Sequence, residues 1–177
     1  GDAISWALDR EVVNMSESGT GMIGIIEGFV NSGGLDQPLE LVIWETPYTE
    51  SFNSTSNLRQ LLGALQSAGD EVVSVTAEGV PDTTVEVGAT QPEYILVDTS
   101  TLESIELRVR VVLSNDKTKT IKLRRSDRVP AALRSEVLAA ALTGFGHDIR
   151  SVSVEVISGG NAADIRYDLV SGSDGGS

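Results

Sequence analysis

Residues 104–113 read Ser-Ile-Glu-Leu-Arg-Val-Arg-Val-Val-Leu, and their alternation decides the fold class. Ile105, Leu107, Val109, Val111 and Leu113 fall on one side of an extended chain, while Glu106, Arg108 and Arg110 fall on the other. Ser114-Asn115-Asp116 carries turn chemistry. The chain then returns from Thr118 to Arg125 with Ile121 and Leu123 apolar and Lys122 and Arg124 charged. A two-stranded antiparallel ribbon follows. For both apolar faces to coincide, facing residue numbers must sum to an even value. A two-residue Asn115-Asp116 turn gives an odd sum and sets Ile121 against Arg110. A three-residue loop restores the match and is the expected connection. That register opposes Arg110 to Lys122 and Arg108 to Arg124, or the same charges one step apart. Like charges opposed on a sheet face cost up to ~1 kcal/mol per pair, so a negative group is expected on this face.

Charge along the chain is as uneven as this ribbon suggests. Residues 108–134 hold nine basic and two acidic side chains, whereas residues 1–107 hold two basic and 18 acidic. The net charge is -13. Three readings of the cationic pole follow: it pairs with the chain's own acidic surface, it docks on the acidic surface of a neighbouring subunit, or it binds nucleic acid. The last is disfavoured, because a strongly anionic chain is repelled from phosphate at long range and no aromatic residues interleave with the cations to stack bases. The candidate contact residues are Arg108, Arg110, Lys117, Lys119, Lys122, Arg124 and Arg125. Trp44, Tyr48 and Phe52 gather near one polar loop and form a second candidate patch, or the edge of a core.

Composition narrows the chemistry. With 177 residues, the chain suffices for one domain or two small ones. Cysteine is absent and there is a single histidine, which excludes disulfides, thiolate chemistry and poly-histidine zinc centres. The longest apolar run, Met22 to Val30, is too short and glycine-broken to span a bilayer. No cationic start precedes an apolar core, so no signal peptide is read, and the Gly1 start is compatible with a processed, tagged or trimmed chain. No cofactor is expected.

The expected fold class is α+β: antiparallel β-hairpins packed on two or three short helices. Residues 1–35 read as an amino-terminal arm. Within it, Met22, Ile25, Ile26, Phe29 and Val30 follow helical spacing, with a strand as the alternative. In residues 36–99 a helix is expected over 56–68, with Ser56 as its cap, Leu58, Leu61, Leu62 and Leu65 on one face and Gly69 as the stop. Strands are expected over 71–76, 83–87 and 94–97. Residues 100–171 hold the ribbon, a helix from Pro130 through Leu142 with Leu133, Val137, Leu138 and Leu142 on its face, and a second hairpin of 149–157 with 164–170. Residues 172–177 form a Gly/Ser tail. Leu58-Arg59…Gly69-Asp70…Ser74-Val75 is echoed by Leu133-Arg134…Gly146-His147-Asp148…Ser151-Val152, which allows two similar α+β halves dividing near 99–103.

Candidate catalytic features are weak. His147 and Asp148 are sequence neighbours that point apart on a strand, a poor base and orienter. Gly19-Thr20-Gly21 with Gly24 lacks the Lys-Ser/Thr end of a phosphate loop. Asn115-Asp116 and Asp174 lack calcium-ligand spacing. Glu40 with Glu45, and Asp98 with Glu103, are carboxylate pairs expected by chance in so acidic a segment.

The segments IELRVRVVL (105–113), VPAALRSEVLAAAL (129–142) and IRSVSVEVISGGNAADIRYDLV (149–170) resemble, in their ribbon–helix–ribbon order, the small α+β modules of tailed-phage virion proteins, particularly baseplate wedge proteins of contractile tails. The resemblance implies a non-enzymatic structural subunit used in many copies, with other protein subunits as partners and the virion as its location, or the cytoplasm if the resemblance fails. It carries over no functional residue. A monomeric binding domain that grips its ligand through the Trp44–Phe52 loop is the alternative, and a carboxylate-based hydrolase the third.

Overall fold

A computed structural model describes residues 55–69, 73–99, 105–125 and 136–172, together with the single positions 25, 29, 102 and 131. The described residues include the helix α1 (Thr55–Gly69) and eight strands: β1 (Val73–Gly79), β2 (Thr84–Glu86), β3 (Tyr94–Asp98), β4 (Ile105–Leu113), β5 (Thr118–Arg125), β6 (Val137–Ala141), β7 (Ile149–Ser158) and β8 (Tyr167–Gly172). These make two four-stranded antiparallel sheets, ordered β1-β8-β3-β6 and β2-β7-β4-β5. The architecture is α+β-like and dominated by sheet. Ile25 and Phe29 are helical and half-buried.

The two sheets share one core. Ile95 and Val97 of β3, Leu138 and Ala140 of β6 and Leu169 of β8 pack in the same cluster as Leu107, Val109 and Val111 of β4, Ile121 and Leu123 of β5 and Val152 and Val154 of β7. Each strand therefore contributes alternate side chains to a shared interior, the usual solution for two sheets packed face to face. One close approach demands glycine: a Cβ on Gly79 of β1 would lie 2.2 Å from the Tyr167 ring of β8.

The β4–β5 ribbon has the expected form. Leu107 faces Leu123 and Val109 faces Ile121, an even-sum register. Its loop is the three-residue Ser114-Asn115-Asp116. The Asp116 N–H donates to Leu113 O at 2.9 Å, the Leu113 N–H donates to Lys117 O at 2.9 Å, and Asp116 sits at φ 64°. A turn followed by one left-handed residue closes a three-residue hairpin without splaying its strands.

Two expectations about the pairing of the carboxy-terminal segments are corrected. Residues 137–141 of the expected 130–142 helix are a strand, β6, paired with β3 from Tyr94↔Ala141 to Asp98↔Val137. Leu138, Ala139, Ala140, Ala141 and Leu142 are all buried. A strand covered on both faces shows an unbroken apolar run, which a helix periodicity fits equally well. The helix-plus-strand echo fails with it. The second correction concerns 149–170. The expected hairpin does not form: β7 pairs with β4 and β2, while β8 pairs with β3 and β1. The chain crosses from one sheet to the other through a short 3-10 turn at Ala162–Asp164. Alternation identified which side of each segment is buried, but both buried sides face each other across the core. Each sheet also draws strands from both sides of residues 100–104.

Helix α1 lies along β6 and the edge strand β5, where the two sheets end. Its inward residues are not its leucines. Ser56 and Gln60 are buried, whereas Leu58, Leu62 and Leu65 are exposed. Ser56 is not a terminal cap: its Oγ accepts the Lys122 N–H at 3.1 Å. The Gln60 Oε1 accepts the Arg124 N–H at 3.1 Å, and its Nε2 donates to Arg124 O at 3.0 Å. Arg59 Nη1 donates to Ala141 O at 3.0 Å and to Thr143 O at 2.9 Å. An edge strand leaves every second backbone pair without a ladder partner, and these side chains stand in for the missing strand. Gly63 completes the contact, since a Cβ there would lie 2.5 Å from the Ala140 backbone.

Candidate functional site

The face of the β2-β7-β4-β5 sheet turned away from the core collects the ribbon's charges. Glu106, Arg108 and Arg110 alternate with the buried Leu107, Val109 and Val111, and Lys122 and Arg124 alternate with the buried Ile121, Leu123 and Arg125. The observed register is one step from the first of the two alternatives. Arg108 faces Lys122, Arg110 faces Thr120 and Arg124 faces Glu106. A like-charge pair therefore sits at the centre of the ribbon, as alternation required.

Its neutralising groups come from the same chain. Arg108 Nη1 lies 2.8 Å from Glu155 Oε2 on β7, which stands opposite Arg108 on its other side. Lys122 Nζ lies 3.6 Å from Glu106 Oε1. At the hairpin tip Asp116 pairs with Arg150. These pairs are solvent-exposed, so each contributes ~0–1 kcal/mol and serves chiefly to offset the like-charge opposition.

The remaining ribbon cations divide sharply. Arg125 is buried at 4 % exposure. Its guanidinium donates to Thr99 O at 3.4 Å, Leu102 O at 3.2 Å and Thr99 Oγ1 at 3.0 Å. It is a structural clamp on the loop after β3, not a contact residue. Arg110, Lys117, Lys119 and Arg124 are exposed, and among the described residues no carboxylate pairs with any of them. Thr84 of β2, Ser153 of β7 and Thr120 of β5 lie in register across the sheet with Arg110, so its row is cationic at one position and hydroxyl-bearing at its neighbours.

The opposite face of the molecule carries the other sign. On the β1-β8-β3-β6 sheet, Asp168 and Asp98 alternate with core residues, and Glu78 is the register partner of Asp168. The Asp168 carboxyl is pushed above the usual carboxylate range, first by partial burial and then by repulsion from Glu78 and Asp98. Sequence reading missed this group because its members lie far apart along the chain, at positions 78, 98 and 168. Only the outward position of Asp168 between Tyr167 and Leu169 signalled it.

Other candidates stay apart. His147 and Asp148 are both exposed in the loop before β7. Asn115 Oδ1 accepts the Lys117 N–H at 3.1 Å, so this side chain serves the turn. Among the described residues no group of three histidine, aspartate or glutamate side chains is placed to hold a metal ion, and no helix is long and apolar enough to cross a membrane. Trp44, Tyr48, Phe52, Gly19–Gly24, Glu40, Glu45, Glu103 and Asp174 lie outside the described residues.

No family model matches the chain, and no curated protein matches it significantly. Among solved structures, AlgX of Pseudomonas aeruginosa is similar, with a TM-score of 0.64 at 15% sequence identity. The match covers 93% of this chain and 42% of AlgX, so the chain spans less than half of that protein's length. At this identity the likeness is one of fold.

Proposed function

We propose that the chain is a non-enzymatic docking subunit of a protein assembly, and that its contact surface is the outer face of the β4–β5 ribbon. One observation carries the reading: Arg110, Lys117, Lys119 and Arg124 stand exposed without a carboxylate among the described residues, beside Arg108 and Lys122, which have one each. A chain of net charge -13 that keeps a concentrated cationic patch has a surface suited to an acidic protein partner, because complementary charge speeds encounter and sets orientation. The acidic face bearing Glu78 and Asp168 makes another copy of the chain one such partner. A tailed-phage tail or baseplate is one assembly that would use such a subunit. The ribbon–helix–ribbon order behind that resemblance is absent from residues 137–172, so the docking proposal stands apart from it.

The test is reversal of the unpaired cations alone. A triple substitution Arg110→Glu, Lys119→Glu and Arg124→Glu touches no buried side chain and is expected to leave the fold intact. Particle mass by light scattering at low salt should fall to that of the single chain. The native assembly should dissociate as salt rises, because exposed charges are screened within about 8 Å at physiological ionic strength. An unchanged mass in the reversed chain would rule the proposal out.

A further inference from the structure

We propose that the outer face of the β4–β5 ribbon docks on the outer face of β1 and β8 in a second copy of the chain, head to tail, with Arg108 and Lys122 meeting Glu78 and Asp168. This rests on the docking role given to the ribbon above and names its partner. The two faces belong to different sheets that pack through a shared core, so they point away from each other. Sheets packed in this way stand about 10 Å apart, and side chains on their two outer faces are held well beyond ion-pair distance. The ribbon's outward cations therefore do not reach Glu78 or Asp168 of their own chain. Glu78 is exposed and Asp168 half-buried, and among the described residues no cation pairs with either of them.

Register and charge together select the partner. On β1 and β8, Glu78 and Asp168 are cross-strand partners of like charge. On β4 and β5, Arg108 and Lys122 are cross-strand partners of like charge. Residues directly opposed on neighbouring antiparallel strands lie ~4.5–5.5 Å apart, so the two pairs have matching separations and one can lie over the other. The charges also balance. Arg108, Arg110, Lys122 and Arg124 bring four positive charges, and the ion pairs to Glu155 and Glu106 offset two, which leaves two. Glu78 and Asp168 bring two negative charges. Each like-charge pair repels within its own chain. Burial first, and then repulsion from Glu78 and Asp98, push the Asp168 carboxyl above its usual range, and a cation laid against it relieves that repulsion. Like face against like face sets acid on acid or cation on cation, so the favoured contact joins unlike faces. Such a contact is heterologous. It leaves one face of each kind free on the pair, and further copies add in succession. Its ion pairs are exposed and individually weak, which makes the assembly dependent on concentration and salt.

The experiment is sedimentation velocity on the full chain at low salt over a wide concentration range. It compares the native chain with two variants. One is the cation-reversed chain, Arg110→Glu with Lys119→Glu and Arg124→Glu. The other is acid-neutral, Glu78→Gln with Asp168→Asn, whose amides keep the size of the side chains they replace. The native chain should grow beyond a dimer as concentration rises, and each variant alone should remain a single chain. Mixed in equal amounts, the variants should form a one-to-one dimer that grows no further. The acid-neutral chain then supplies the intact ribbon and the cation-reversed chain the intact acidic face. An acid-neutral chain that assembles like the native one, beside a cation-reversed chain that does not, overturns this partner and leaves the ribbon's docking role standing. A cation-reversed chain that assembles like the native one overturns both. A native chain that is monomeric at every concentration overturns the head-to-tail contact, as do variants that fail to combine when mixed.

Discussion

Gly63 shows how far a single position can depart from general propensity. Replacing a helix-interior glycine by alanine ordinarily stabilises by about 1 kcal/mol. Here the added methyl would lie 2.5 Å from the backbone of Ala140. Gly63→Ala is expected to destabilise by about 1–3 kcal/mol, the cost of overpacking, read as a lower denaturant midpoint with an unchanged slope. Arg125 makes a similar point about charge. By its place in the ribbon it belonged with the contact cations, yet position 125 falls on the inward side of β5, in phase with Ile121 and Leu123. Arg125→Ala leaves the carbonyls of Thr99 and Leu102 without their donor and should cost about 1–3 kcal/mol. Asp168 supplies the pH-dependent case. Its folded-state pKa is raised, so its protonated form favours folding, and that contribution is lost as pH rises through the folded pKa. Asp168→Asn should therefore raise the melting temperature at neutral pH and leave it nearly unchanged where carboxylates are protonated. An equal gain at both pH values would contradict the assigned cause.

At the scale of elements, legibility tracked how many local signals agreed. Strands β4 and β5 were readable down to two neighbouring registers, because alternation, turn residues and the even-sum condition all constrain the same pairing but leave that one step open. Helix α1 was readable as a helix from its leucine spacing and glycine stop, but the side it buries was not. Burial there is set by the unpaired backbone of β5 and β6, and nothing in residues 55–69 records what lies across from them. Strand β6 was misread because its alanines serve a tight approach by α1 while they also raise helix propensity. This division predicts an element-level effect. Gln60→Ala removes both the acceptor for the Arg124 N–H and the donor to Arg124 O. Amide exchange at Arg124 should quicken in that variant, while Val109 and Val154, in the middle of the sheet, should keep their protection.

For the whole molecule, the sequence disclosed the segregation of charge but not the pairing order that gives each charge its place. Which strand lies beside which is decided by long-range pairing, between residues as distant as Val73 and Gly172. The same arrangement explains why two of the ribbon's cations are neutralised and four are exposed. Strand β7 lies against β4 and brings Glu155 to Arg108, but among the described residues no strand lies beyond β5, and α1, which packs there, has no carboxylate to answer Arg124. Raising ionic strength should thus cost little folding stability, since the internal pairs are exposed and weak, while it weakens any contact made by the outer cations. Comparing denaturant midpoints with particle mass across the same salt series separates the two effects.

The place of β8 has a consequence for biosynthesis. It is an interior strand of its sheet, lying between β1 and β3, and it is the last strand described in the chain. A nascent polypeptide leaves the ribosome amino terminus first, so β1 emerges roughly ninety residues ahead of its ladder partner. Until then β1 and one side of β3 are exposed as unpaired, aggregation-prone ribbons, and slow closure of so long a loop is the expected bottleneck. Ribosome-stalled chains ending before residue 160 should remain protease-sensitive across β1 and β3, and acquire resistance only once β8 has cleared the exit tunnel.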